Sequence, residues 1–86
     1  MNIIHNQSES HFSIEGDQGK LVYSREQNKL IIEHTKVSDS LKGKGAGKQL
    51  VRAAVEFSRA NSLKVVPLCS FAKATIERVP EFQDVL

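Results

Sequence analysis

The sequence predicts one domain of mixed α/β (α+β) class, in which a small antiparallel sheet precedes a helix, a further strand and a short second helix. Three observations support this: alternating apolar residues before position 38, an apolar helical pattern behind a glycine-rich segment, and a short apolar stretch after that helix. Strand–helix–strand connections are almost always right-handed crossovers between parallel strands. We therefore expect a single domain over residues 1–86 whose last strand lies parallel to the third.

The first half of the chain predicts a three-stranded antiparallel meander, because polar turns separate three alternating segments. The strands are expected at residues 11–14, 20–25 and 30–37. Strict alternation along the third strand would place Leu30, Ile32, His34 and Lys36 on one face and Ile31, Glu33, Thr35 and Val37 on the other. The first ten residues have little pattern, so we expect at most a short extension at residues 2–5.

The second half of the chain predicts a helix, a strand and a short helix. Apolar residues recur at spacings of three and four over residues 45–61, which is typical of a helix with one buried face. Residues 64–68 predict an edge strand, because Pro67 cannot donate a ladder hydrogen bond. Ser70 is a candidate cap for a last helix at residues 71–78, and Pro80 would end it.

The segment 41–50, LKGKGAGKQL, is the most informative part of the sequence. Its alternating glycines allow positive φ angles and a close approach of the backbone to a ligand. Successive N–H groups can then enclose an anion, and the helix that follows contributes the positive end of its dipole. The alternative is a capping turn with solubilising lysines, but glycines and cations coinciding at a helix start favour a phosphate site.

Two familiar phosphate loops do not match this segment. A Walker A loop would need glycine at position 42 and Ser or Thr at position 49, where the chain has Lys and Gln. The dinucleotide fingerprint G-x-G-x-x-G also fails, because the glycines are spaced G-x-G-x-G.

Charge is concentrated at the same place. Residues 41–55 carry four of the twelve cations and no acid, whereas the rest of the chain carries all ten acids. A local basic patch in a chain of net charge +2 fits a multiply charged small ligand better than a nucleic-acid track. The basic segment also lacks the interleaved aromatics that would stack single-stranded bases, so a nucleic-acid module is the weakest alternative.

The loop Lys42-Gly43-Lys44-Gly45-Ala46-Gly47 resembles the pyrophosphate loop of the GNAT superfamily of N-acetyltransferases, with Lys where Arg or Gln is usual. The similarity continues through residues 34–37 before the loop, and through residues 63–71 and 80–86 after the helix. Together these segments resemble the small, single-domain YjdJ-type branch. The resemblance implies a minimal GNAT fold and acetyl-coenzyme A as the co-substrate.

The resemblance also implies where that co-substrate would bind. The pantetheine arm would pair with the backbone of residues 34–37, in a gap between the two parallel strands. One free N–H there would face the thioester oxygen. The expected cofactor-binding residues are Thr35, Lys36, Val37, Lys42, Gly43, Lys44, Gly45, Ala46, Gly47, Lys48, Cys69, Ser70 and Phe71.

Two side chains are candidates for the chemistry. Cys69, at the end of the last strand, could accept the acetyl group as a nucleophile or return a proton to the coenzyme A sulfur as a general acid. A buried structural role is the alternative, since free cysteine is among the most buried residue types. His34 is a weaker candidate for the base that deprotonates the amine, and a structural role is favoured for it. No metal-ligand spacing is present.

The leading hypothesis is an acetyl-coenzyme A-dependent N-acetyltransferase acting on an unknown amine. The alternative is a protein that binds coenzyme A or acyl-coenzyme A with little or no transfer, because Lys36 stands where this branch more often has Glu. We expect no membrane and no nucleic-acid partner, and a monomer or weak homodimer. The absence of a visible signal sequence and the single cysteine favour the cytoplasm.

Overall fold

A computed structural model describes residues 2–41 and 43–86. Within these residues, five strands, two α-helices and two 3₁₀ turns follow one another. The strands are β1 (Ile3–Asn6), β2 (His11–Ile14), β3 (Gly19–Glu26), β4 (Lys29–Val37) and β5 (Lys64–Pro67). The helices are α1 (Ala46–Ala60) and α2 (Ser70–Arg78), and the 3₁₀ turns span Asp39–Leu41 and Pro80–Val85. These elements confirm the predicted mixed α/β fold.

The sheet has the simple order β1-β2-β3-β4-β5. The first four strands pair antiparallel, and β5 pairs parallel with β4 after the α1 crossover. The meander and the parallel edge strand were therefore predicted correctly. The structure adds β1, which the sequence suggested only as a short extension, because the run Ile3–Asn6 does not alternate between polar and apolar residues.

The strand β1 is fixed to the sheet by an aromatic cluster around His5, a residue to which the sequence analysis gave no role. The His5 ring stacks on Phe12 with a centroid distance of 4.0 Å, and its Nε2 lies 2.6 Å from the Tyr23 hydroxyl. Burial, together with the charge of nearby His11, lowers the pKa of His5. The neutral ring is therefore favoured, and it can accept the Tyr23 hydrogen bond.

One face of the sheet packs against α1 and forms the core. The helix contributes Leu50, Val51, Ala54 and Val55, all fully buried, at the three- and four-residue spacings that the sequence shows. The strands contribute the alternate residues Phe12, Ile14, Leu21, Tyr23, Leu30 and Ile32. No residue of the described chain that lies on the opposite sheet face is classed as buried, so the domain consists of one sheet with helices on one side.

A β-bulge in β4 changes which side chains face the helix. Val22 pairs with His34 while Tyr23 pairs with Ile32, so Glu33 has no partner in the β3–β4 register. Glu33 and His34 are both exposed, and Thr35 and Val37 beyond them lie on the helix side. The predicted alternation was therefore wrong past Ile32, because an extra residue shifts the side-chain period by one.

The C-terminal segment closes the domain over the end of α1. Phe82 and Val85 are buried in the core beside that helix. The Arg59 guanidinium donates to both carboxylate oxygens of Asp84, at 2.9 and 2.7 Å, and to the Glu81 carbonyl at 2.7 Å. These contacts hold the chain that follows α2 against α1.

Ile76 tests how far the second helix depends on the core. Its side chain is fully buried on α2, so Ile76→Ala should lower the free energy of unfolding by about 2–5 kcal/mol. Urea denaturation measures this loss. The control Lys73→Ala changes an exposed residue of the same helix and should stay within about 0.5 kcal/mol of wild type. Equal losses for the two variants would contradict the described packing.

Candidate active site

The parallel pair β4–β5 opens at one end into a gap. The two strands pair only as far as Ile32 and Pro67, and β4 continues for five more residues, 33–37. The chain leaves the sheet at this point because the N–H groups of Leu68 and Cys69 both donate to the Ile32 carbonyl, at 3.0 and 3.2 Å. The second half of β4 therefore presents an edge that β5 does not cover.

The main-chain groups on that edge belong to Thr35 and Val37. Ser38 N–H donates to the Gln18 carbonyl at 2.9 Å, so Ser38 and the residues alternating with it turn towards β3. By the same alternation, the N–H and C=O groups of Thr35 and Val37 turn towards the gap. An extended ligand could pair with them as a strand would.

The glycine-rich loop lies beside this edge and leads into α1. Gly43 and Gly45 have φ angles of +81° and +77°, which L-residues with side chains rarely adopt. A Cβ built on either residue would meet no atom within 4 Å, so both glycines border open space. The two glycines therefore allow the backbone to turn and leave the space above the loop free of side chains. Both properties are expected of a loop whose backbone a ligand approaches.

The start of α1 supplies hydrogen-bond donors to the same space. Gln49 N–H makes the first helical bond, to the Gly45 carbonyl at 3.0 Å. The preceding N–H groups of Gly47 and Lys48 belong to the first turn, which has no intrahelical acceptor. With the helix dipole and the Lys48 charge, this end of α1 is suited to bind an anion.

Gly47 has a different role, because it allows α2 to approach α1. A Cβ on Gly47 would lie 2.5 Å from the Phe71 ring, so the ring occupies the place of a side chain. Phe71 stays partly exposed and forms one wall of the site. The third glycine is thus explained by helix packing rather than by a special φ angle.

These elements enclose a cleft of about 550 Å³ that joins the β4 edge to the loop. Of the residues expected from the sequence, it is lined by Thr35, Val37, Gly43, Gly45, Ala46, Gly47, Lys48 and Phe71. The structure adds Leu41, Thr75, Arg78 and Val79, which the sequence analysis missed. Thr75 and Arg78 follow Phe71 at helical spacing on α2, but nothing in the sequence showed that this stripe faces the loop.

Cys69 lies at the start of α2 and is partly buried against the core. Burial opposes the thiolate, but the Ala72 N–H, the Thr35 hydroxyl and the N–H groups of Phe71 and Thr35 favour it. Together they outweigh burial and lower the pKa of the Cys69 thiol. The sulfur therefore lies beside the open β4 edge in surroundings that make it a readier acid and a readier nucleophile.

The Thr35 hydroxyl is notable for its lack of a conventional partner. Its Oγ1 atom is buried, and no group within residues 2–41 and 43–86 lies at hydrogen-bonding distance and angle from it. Its interaction with Cys69 is therefore a loose one that strengthens when the sulfur is charged. A buried, unsatisfied hydroxyl on the wall of a cleft indicates that a polar ligand group or water completes the site.

The remaining expected residues lie outside this cleft or outside the described chain. His34 is exposed and, because of the bulge, projects from the sheet face opposite α1. The Lys36 side chain lies on that same opposite face, and Lys44 and Ser70 are exposed near the cleft without lining it. Lys42 falls outside the described residues.

Two further findings concern the described part of the chain. It contains no group of three or more His, Cys, Asp or Glu side chains placed to hold a metal ion. Its helices are also too short or too polar to cross a membrane.

A splayed parallel pair beside a glycine-rich loop at a helix start is an arrangement in which α/β domains commonly bind phosphate-bearing ligands, at the carboxyl ends of their strands. Comparison with known proteins gives the family. The model for GCN5-related N-acetyl-transferases matches residues 10–85. The chain therefore belongs to this family, which confirms the GNAT resemblance of the loop.

A solved structure agrees with this assignment. The solution structure of a GCN5-like candidate N-acetyltransferase from Staphylococcus aureus is 39% identical in sequence and superposes with a TM-score of 0.81. The match covers 98% of this chain and 85% of that one. A search of curated proteins found no match.

Thr35 allows a test of the surroundings of Cys69. Because the folded protein favours the thiolate, alkylation by iodoacetamide should have its pH midpoint below that of a free cysteine. Thr35→Val removes one of the groups that lower the pKa, so the midpoint should rise. The lowered pKa also makes stability depend on pH. Ionisation of the Cys69 thiol contributes its full stabilisation of the folded state above the pKa that the thiol has in the unfolded chain. This stabilisation is lost as the pH falls through the pKa of the folded protein.

The control for this prediction is Thr75→Val. The Thr75 hydroxyl donates to the Phe71 carbonyl at 2.9 Å and is not among the groups that act on Cys69. Its removal should leave the alkylation midpoint unchanged. Since Cys69 is the single cysteine of the chain, mass spectrometry reports this site alone. An unshifted midpoint in Thr35→Val would contradict the proposed contact.

Proposed function

We propose that the protein is an acetyl-coenzyme A-dependent N-acetyltransferase that acts on a small amine. The observation that carries the proposal is the continuity between the β4 edge and the loop at the start of α1. One cleft offers strand-like hydrogen bonds at Thr35 and Val37, and anion-binding amides and open glycines at residues 43–48. A ligand that combines an amide-bearing arm with a diphosphate would use both ends at once.

The residues present fit such a ligand. The N–H groups of Gly47 and Lys48, with the Lys48 ammonium, would hold the diphosphate. Arg78 lines the cleft from α2 and makes no ion pair with a described residue, so its charge is available for a further phosphate. The apolar side chains of Leu41, Phe71 and Val79 would cover the arm.

When bound, acetyl-coenzyme A supplies an acetyl group activated as a thioester. The Val37 N–H, turned towards the gap, can donate a hydrogen bond to an oxygen that gains negative charge. Cys69 carries its exchangeable proton at Sγ beside the same edge, where its lowered pKa suits it to protonate a departing thiolate. The same pKa shift would also support Cys69 as a nucleophile, so these two roles are to be separated by experiment.

A second candidate function is binding of acyl-coenzyme A without efficient transfer. One observation favours it: no carboxylate or histidine is among the described residues that line the cleft, so a base for the incoming amine has to come from elsewhere. Release of free thiol from acetyl-coenzyme A in the presence of a panel of amines separates the two. Saturable binding with no release above background would establish the binding protein.

Gly45 provides the test of the cofactor site. Gly45→Ala introduces a Cβ into the space above the loop at a φ of +77°, so it should cost about 1–2 kcal/mol in stability. It should also weaken acetyl-coenzyme A binding by at least about tenfold, because the backbone can no longer approach the diphosphate. Isothermal titration calorimetry measures the affinity.

Gly16→Ala is the matched control. Gly16 has a similar φ angle of +83° but lies in the turn between β2 and β3, away from the cleft. It should lose comparable stability while keeping the affinity of wild type. If both variants bound acetyl-coenzyme A as wild type does, the loop would not be the diphosphate site.

A further inference from the structure

The sheet face opposite α1 carries a second cleft, of about 620 Å³, near the end of β4. Lys20 of β3 and Lys36 of β4 lie directly opposite each other in the ladder and both line this cleft. Lys36 was expected from the sequence to bind the cofactor, but its side chain belongs to this other face.

The lysine pair brings two like charges together on neighbouring strands. Like charges directly opposite on neighbouring strands destabilise a sheet. Neither Lys20 nor Lys36 forms an ion pair with a described residue. At the other end of the same two strands, the residue opposite Lys29 in the ladder is the acid Glu26. An anionic group bound between Lys20 and Lys36 would relieve their electrostatic repulsion.

Other polar groups of the second cleft support a ligand rather than bare solvent. His11 Nδ1 is buried and has no hydrogen-bond partner among the described residues, and the Ser13 side chain shares its face. Two carboxylates also line the cleft: Glu9 contacts His11 Nε2 at 3.3 Å, and Asp17 lies in the β2–β3 turn. Both signs of charge are therefore present, as an amphoteric ligand would require.

The second cleft and the cleft of about 550 Å³ described above share one lining residue, at the end of β4. This residue is Val37, which lines the first cleft on the helix side of the sheet and the second cleft on the opposite side. Its neighbour Lys36 therefore places a cation next to the point where the acetyl group is proposed to lie. A molecule in the second cleft would therefore lie beside the end of β4.

We propose that the acetyl acceptor is a small amine that carries a carboxylate or phosphate, held by Lys20 and Lys36 on the open sheet face. This rests on the function proposed above and adds the class of acceptor. Transfer to such an amine forms a C–N bond, breaks the thioester C–S bond and moves one proton from nitrogen to sulfur.

The test compares acceptors that differ in one anionic group. β-Alanine is paired with propylamine, and O-phosphoethanolamine with ethanolamine, and thiol release gives kcat/KM for each. The anionic member of each pair should be preferred. Lys20→Gln and Lys36→Gln should each lower kcat/KM for the anionic amines by about two- to fivefold, as expected for exposed ion pairs. The double variant should lower kcat/KM for the anionic amines by about tenfold. For propylamine and ethanolamine, which carry no anionic group, kcat/KM should not change in any of the three variants.

Lys29→Gln is the matched control, since it removes the same charge from the same strand outside the second cleft. It should leave every rate unchanged. The proposal is overturned if neutral amines react as well as anionic ones, or if Lys29→Gln is as damaging as Lys36→Gln.

A binding measurement separates this proposal from the function on which it rests. Protein saturated with coenzyme A is titrated with β-alanine or O-phosphoethanolamine, and amide resonances are followed by NMR. Saturable shifts at Lys20 and at residues 36–38 support the proposal, and their absence refutes it even where acetyl-coenzyme A binds. If acetyl-coenzyme A itself does not bind, the function proposed above fails instead.

Discussion

The site depends on the different lengths of two parallel strands. β4 has nine residues and β5 has four, so at Thr35 and Val37 β4 has a neighbouring strand, β3, on one side only. The unpaired N–H and C=O groups of this edge can hydrogen-bond to an extended ligand. The early end of β5 therefore leaves room for such a ligand, and the rest of the cleft determines which ligand would fit.

The loop and the two helices supply that selectivity. Positive φ angles at Gly43 and Gly45 keep the space above the backbone free, while Gly47 lets Phe71 close the wall from α2. Arg59 fixes the C-terminal segment, which follows α2, against α1. Packing and binding are thus coupled in a chain of 86 residues, because the helices that form the core also form the cleft.

Most of the fold could be predicted from periodicity, because alternation and three-to-four spacing directly reflect burial. The bulge at Glu33 could not be predicted, since no glycine or proline marks it and the extra residue is recognised only from the β3–β4 register. The consequence was local but important: Thr35 and Val37 lie on the helix side, whereas His34 and Lys36 lie on the open face. Glycine chemistry identified the loop, but Arg78 and Thr75 reach the cleft only through tertiary packing, which local sequence does not encode.

The central claim is that the β4 edge and the α1 loop bind one diphosphate-bearing thioester between them. The most direct measurement is an NMR titration of ¹⁵N-labelled protein with acetyl-coenzyme A. We expect saturable shifts of the amides of Thr35, Val37, Gly43, Gly45, Gly47 and Lys48, all with one dissociation constant. No saturable shift, or shifts confined to residues outside this cleft, would contradict the account.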